Sequence, residues 1–305
     1  MSNLSFTYRG LIAPVFTPFN NNGTLNLDLI PSYAEYLARN GVNGVLVNGT
    51  TGEGTSMNVL ERKAIAEAWS EAVKSTKQHL MIQVGGAPLP DVIELAKHAE
   101  SIKVNSLLCL PELYFKPNTP QELKEYLKRV GKAAPNTPLL YYHIPMFTNV
   151  NIHMGQFLDS IGNEIPSFVG IKFTSNDLVE GSQALRADNR KYVIFLGSDQ
   201  IISAACSLGM DSFIATSVNM FPQFAKDILT ASDSGKMLAA REKQEKLTEA
   251  VIAISKYGNW VQTMKHAMRL VTGINMGPPR SPLKHLSDEF STSMEEDLKK
   301  LKYIN

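Results

Sequence analysis

Short apolar runs alternate with longer amphipathic segments from the first dozen residues to about residue 235. The run over 168–172 is apolar on both faces, the pattern of a parallel strand covered on each side. Strands are expected over 11–17, 45–47, 80–84, 106–110, 139–142, 168–172, 192–196 and 213–216. Helices are expected between them. The first opens at Asn26-Leu27-Asp28 and stops at Asn40-Gly41, a C-cap signal. Others are expected over 58–75, 90–103, 153–161, 177–187 and 199–208, with one from Phe221 and one at Thr119-Pro120, which joins a cap to an N1 proline. Eight strand–helix units read most simply as an α/β fold, a (β/α)8 TIM barrel over 1–235. The rival is an open doubly wound sheet, and the absence of G-x-G-x-x-G after the first strand counts against it. Residues 236–305 show no strand pattern. Helices are expected over 236–257, 258–272 and 294–302, the last capped by Thr292 or Ser293. The Gly- and Pro-rich stretch 273–280 separates the last two. This region reads as a helical extension packed on the barrel.

Composition narrows the function. The chain has 305 residues, 44% hydrophobic and 19% charged, with a formal net charge of +1. That balance gives no general attraction to nucleic acid or to an anionic membrane, and neither is expected as a partner. No apolar run reaches the ~18 residues of a membrane span. The N-terminus lacks the charged-then-apolar pattern of a secretory signal. Cys109 and Cys206 are not paired by spacing, and two reduced thiols in the cytoplasm are expected. The six histidines show no close-paired ligand spacing, so no metal is expected. Neither G-x-S-x-G nor a Walker loop is present.

Barrel active sites form at the C-terminal ends of the strands, so the residues there carry the chemistry. Lys172 ends the sixth strand. A lysine there either snorkels to solvent or sits in low-dielectric surroundings that favour the neutral amine, a nucleophile for carbonyls. After the second strand, Gly49-Thr50-Thr51-Gly52-Glu53 offers backbone N–H groups and two hydroxyls. It suits a carboxylate or phosphate, and equally a tight turn with a capping Thr. In Tyr141-Tyr142-His143 adjacent side chains face opposite ways, so only one tyrosine points inward, as a proton shuttle or as packing. His143 has no evident partner and reads as structural. Gly197-Ser198-Asp199-Gln200 and Ala215-Thr216-Ser217 put polar groups where a hydroxylated substrate would bind, although Asp199 is also an ordinary N-cap candidate.

Together, 49–53, Tyr142-His143-Ile144-Pro145 and Gly170-Ile171-Lys172-Phe173 resemble the pyruvate-dependent class I aldolases in order and spacing, over nearly the whole chain. That family includes the dihydrodipicolinate synthases and N-acetylneuraminate lyases. Stretches 47–54, 141–145 and 276–280 look most like the lyase branch. The resemblance implies that Lys172 forms a Schiff base with the substrate C2 ketone and needs no cofactor. Tyr142 passes the proton of the C4 hydroxyl. Thr50 and Thr51 hold the carboxylate, with Thr51 also counted as catalytic. Thr174, Gly197, Asp199, Gln200 and Thr216 line the sugar side, and Tyr114 is an aromatic near the site and the subunit contact. It also implies cleavage of sialic acid to pyruvate and N-acetylmannosamine, and a homotetramer. Three departures bear on substrate. No arginine follows Pro145, where dihydrodipicolinate synthases hold a second carboxylate. Gln200 stands where the lyases usually have glutamate, and Ala215-Thr216-Ser217 stands for their usual Gly-Ser-Thr. An altered sugar preference with intact pyruvate chemistry is therefore expected.

Overall fold

A computed structural model describes residues 3–305. Eight parallel strands close into a barrel in chain order. They are β1 (Gly10–Pro14), β2 (Gly44–Val47), β3 (His79–Gln83), β4 (Ser106–Cys109), β5 (Leu139–His143), β6 (Phe168–Phe173), β7 (Val193–Leu196) and β8 (Ser212–Ile214). Around them run α1 (Ile30–Arg39), α2 (Val59–Thr76), α3 (Leu89–Ser101), α4 (Pro120–Ala133), α5 (Pro145–Thr148), α6 (Met154–Ile161), α7 (Leu178–Arg190), α8 (Ile202–Ser207) and α9 (Pro222–Asp233). Three further helices follow: α10 (Met237–Ser255), α11 (Trp260–Thr272) and α12 (Asp288–Lys300). This is the (β/α)8 barrel with C-terminal helices that the alternation of runs implies.

The strands are buried on both faces, which explains their unbroken apolar character. Their outward residues meet helices such as α4, whose Leu123, Leu127 and Val130 recur at helical spacing on one buried stripe. Thr119 caps that helix in a reciprocal box with Glu122, as its sequence suggests. Their inward residues form a separate core of Ile12, Leu46, Met81, Leu108, Leu140 and Phe195. Leu4, Phe6 and Tyr8 pack against this inner core from the N-terminal segment. The Tyr8 ring lies 4.4 Å from that of His79, at the first position of β3, so the segment plugs the N-terminal end of the barrel. The opposite end is open.

Among the boundaries that differ from the expectation, three have a clear local cause. The last helix begins at Asp288, where Ser287 accepts from the Phe290 N–H; Thr292 lies inside it, its hydroxyl on the Asp288 carbonyl. Ser287-Asp288-Glu289 supplies both cap and first-turn acids, and that outweighs the later Thr-Ser pair. Second, α8 starts at Ile202 rather than Asp199, because the Asp199 carboxylate receives the Ser217 N–H at 2.7 Å instead of capping its own helix. Third, a 3-10 turn over Leu27–Leu29 precedes α1, and Asn26 makes no side-chain cap. The helix expected to end at Ala187 does leave helical geometry there, at Ala187, Asp188 and Asn189.

Candidate active site

At the open end lies a cavity of about 690 Å³, lined by loops that follow β2, β5, β6, β7 and β8. Register builds its centre. Tyr142 pairs with Lys172 across β5 and β6, so both side chains project from the same height of the inner wall. The Lys172 amine is buried with its residue 4% exposed, and donates to the Tyr142 phenol oxygen at 3.0 Å. It also lies 4.2 Å from the Tyr142 ring centroid. The same phenol oxygen is 3.2 Å from Thr50 Oγ1. Tyr141 and His143 face the other way, into the layer under the helices. There the His143 ring stacks on Phe173 at 5.3 Å, and burial lowers its pKa to about 4.

The loop after β2 has a demanding backbone. Asn48 and Glu53 both take left-handed conformations. Gly54 approaches the Asn48 carbonyl so closely that a Cβ would fall on the oxygen. Around this turn a network holds the loop from outside. The Asn48 side chain donates to the Arg62 carbonyl, the Arg62 guanidinium donates to the Gln83 carbonyl at 2.8 Å, and the Thr17 hydroxyl donates to the Gly52 carbonyl at 2.6 Å. The C-terminal helices hold it too. Glu53, its side chain fully buried, pairs with Lys265 of α11 at 2.8 Å and accepts the Arg280 N–H at 2.6 Å. The Arg280 guanidinium forks onto Glu61 at 2.7 and 2.8 Å. Thus 276–280, singled out in the sequence, serves to brace the loop.

On the sugar-facing side, Thr174, Gly197, Asp199, Gln200 and Thr216 all reach the cavity. The Thr174 hydroxyl is buried without a hydrogen-bond partner among the described residues, in contact range of Gly197, where a side chain would displace it. Burial pushes the Asp199 carboxyl above the usual carboxylate range, while Ser217 and the nearby Lys172 pull it back. Gln244 of α10 donates to the Asp199 carbonyl at 3.0 Å and steadies this segment. Thr216 Oγ1 is 2.9 Å from Thr51 Oγ1 and accepts the Trp260 indole N–H at 3.2 Å.

The structure therefore gathers Lys172, Tyr142, Thr50, Thr51, Thr174, Gly197, Asp199, Gln200 and Thr216 into one cavity. Tyr114 is outside it. That ring is 83% exposed and packs edge-on against Phe115, itself 84% exposed. Met146, Phe147 and Trp260 also line the cavity and were not singled out from the sequence. Met146 and Phe147 follow directly on the Tyr-x-x-Pro stretch, which was a usable signal; Trp260 sits in a helix whose docking no local pattern reveals. Among the described residues no three His, Cys, Asp or Glu side chains group as a metal site would require, and no helix is long and apolar enough to cross a membrane.

The cavity combines a buried amine, a phenol in reach of it, and hydroxyl donors on a tight loop, which together suit carbonyl addition and proton transfer. Comparison with known proteins agrees. The profile described as Dihydrodipicolinate synthetase family matches residues 7–301. The chain is 36% identical to human N-acetylneuraminate lyase and 34% to the rat protein, in each case over 97% of this chain and 93% of the relative. Among solved structures it is similar to N-acetylneuraminate lyase from Aliivibrio salmonicida, with a TM-score of 0.93 at 32% identity over 99% of both chains.

Proposed function

The chain belongs to the dihydrodipicolinate synthetase family, and from that premise we propose that it is a Schiff-base aldolase cleaving N-acetylneuraminate to N-acetylmannosamine and pyruvate. It is a carbon–carbon lyase. The observation that carries this reading is the contact of Lys172 with Tyr142, and of Tyr142 with Thr50, inside a cavity at the C-terminal ends of the strands.

The Lys172 amine adds to the C2 ketone of the open-chain substrate, and loss of water leaves an iminium. Tyr142, 3.0 Å from that nitrogen, can exchange protons at the reacting centre. The C4 hydroxyl gives up its proton through Tyr142 as the C3–C4 bond breaks. The bond's electron pair flows to the iminium and forms an enamine, and the aldehyde of N-acetylmannosamine leaves. A proton returns to C3, and water hydrolyses the pyruvyl iminium to regenerate the amine. The iminium is the electron sink, so the reading calls for no other cofactor. Thr50 and Thr51 grip the carboxylate with hydroxyl and backbone donors. Asp199, Gln200, Thr174 and Thr216 take the sugar hydroxyls, and Gly197 leaves room for them.

Gln200 favours a second reading, the same chemistry on another 2-keto-3-deoxy acid, because an amide replaces a charged acceptor at the sugar end. In that case Gln200→Glu raises affinity for N-acetylneuraminate; unchanged affinity would clear this position of the effect. We also assign the protein to the cytoplasm, as a homotetramer in which a second copy covers Tyr114 and Phe115. Light scattering checks the assembly: a mass of one chain would reject it.

The first test follows pyruvate release from N-acetylneuraminate through a coupled dehydrogenase, with Lys172→Ala as control. Release by the parent and none by the variant is expected. Borohydride with pyruvate should add a covalent mass at Lys172. Trapping without release would move the substrate to another keto acid, and absence of both would reject the aldolase reading.

A further inference from the structure

Trp260 opens α11, held there by the Asn259 side chain, which accepts the Val261 N–H at 3.1 Å. From this position the indole reaches the mouth of the barrel and lines the cavity. Its N–H meets Thr216 Oγ1 at 3.2 Å, and Thr216 Oγ1 meets Thr51 Oγ1 at 2.9 Å. Both threonines are nearly closed to solvent, at 5% and 4% exposure.

Geometry alone leaves the direction of the Thr216–Thr51 bond open, since either hydroxyl can donate. The indole biases it, because a hydroxyl that already accepts a proton is the stronger donor and has one lone pair fewer to offer. An indole N–H donates and never accepts, so Thr216 Oγ1 accepts from Trp260. The Thr216 hydroxyl still has one proton to place. Among the described residues its hydroxyl oxygen has two partners, the indole and Thr51 Oγ1, and only the latter can accept. Donation to Thr51 completes a head-to-tail chain, which is favoured over the arrangement in which Thr216 accepts twice and turns its own proton to the cavity. Thr51 in turn has a proton with no acceptor among the described residues, and its residue lines the cavity. The chain of donation runs from indole to Thr216 to Thr51 and then outward. Without the indole, Thr216 can equally accept from Thr51, which turns oxygen lone pairs toward the cavity.

We propose that Trp260 is a positioning residue that fixes the Thr51 hydroxyl as a donor toward the substrate carboxylate. The proposal rests on the reading of Thr50 and Thr51 as the carboxylate grip. It makes selection of an anion over a neutral group at that spot depend on an atom two hydrogen bonds away, on the C-terminal helix. A donor held ready in a buried site needs no reorientation when the anion arrives. The same ordering disfavours a ligand whose group at this position must itself donate.

Trp260→Phe keeps an aromatic ring and deletes the N–H. The half-saturating pyruvate concentration for borohydride trapping at Lys172 should rise roughly two- to ten-fold, the usual net worth of a hydrogen bond. For methyl pyruvate, which has no carboxylate, it should change much less. A ring that mattered only for packing would shift both ligands alike. In the lyase assay, KM should rise more than kcat falls. Thr216→Val should reproduce the selective loss and add little to Trp260→Phe in the double variant; it also carries the test if the Trp260 variant does not fold. Equal shifts for both ligands, or an unchanged half-saturation for pyruvate, would overturn the proposal and leave the aldolase reading standing. Failure of the parent to trap pyruvate at all would overturn both.

Discussion

At the scale of single residues, reactivity depends on space as much as on charge. Gly197 lies against Lys172, the nucleophile proposed above. A Cβ there would fall on the Thr174 hydroxyl and stand 3.1 Å from Lys172 Cε. Gly197→Ala is expected to slow Schiff-base formation with pyruvate roughly ten- to a hundred-fold, because a displaced amine loses its attack geometry. The rate at which the borohydride-trapped mass appears measures this, and an unchanged rate would refute it. Lys172 and Tyr142 were legible in the sequence because strand alternation fixes sides and register fixes height. Only one of Tyr141 and Tyr142 could face inward, and the structure has Tyr142 there. The tie of Asp199 to Ser217 was not legible, since an Asp before a helix is usually its cap. Tyr114, which the resemblance put near the site, is exposed in the single chain, and no local pattern separates a cavity residue from one that another copy would cover.

At the scale of elements, α11 is the piece whose position decides most. Lys265 carries a cation into an apolar setting, stacked 4.4 Å from the Phe19 ring centroid, and burial lowers its pKa. Its partner Glu53 belongs to the loop that bears Thr50 and Thr51. Removing one member of a buried pair strands the other, at a cost of about 3–5 kcal/mol. Lys265→Met should therefore lower the melting temperature by several degrees and raise the half-saturating pyruvate concentration. Adding Glu53→Gln should recover part of the lost stability. A Lys265→Met protein melting with the parent would contradict the pair's role. The existence of α10, α11 and α12 was legible from periodicity. That they pack on the barrel was expected, but the point of contact was not legible, because Glu53 and Lys265 are 212 positions apart and a contact at that range leaves no local trace. We infer that 236–305 is inseparable from the barrel in function, although sequence divides it cleanly.

At the scale of the whole molecule, one end is plugged and the other holds the cavity, and an imidazole shielded from solvent sits in each half. His79, packed under Tyr8 and bonded to Ser106 at 2.8 Å, has its pKa lowered to about 4 by burial. His143, behind the cavity wall, is lowered to the same value by the same cause. A base with a depressed folded pKa contributes stability fully above its ordinary value of about 6.5 and loses it as pH falls toward 4. Each accounts for on the order of 3 kcal/mol across that window. The melting temperature should fall between pH 6.5 and 4.5, with a shallower fall in a His79→Gln/His143→Gln double variant. An equal slope in both proteins would assign acid sensitivity to other groups. Because Lys265 and Arg280 brace the loop that bears Thr50 and Thr51, translation imposes an order on the site. A ribosome makes Lys172 well before Trp260, Lys265 and Arg280. On the function proposed above, a nascent chain holds its nucleophile before it can grip a keto acid, and turnover is expected only once the final helices have emerged and docked.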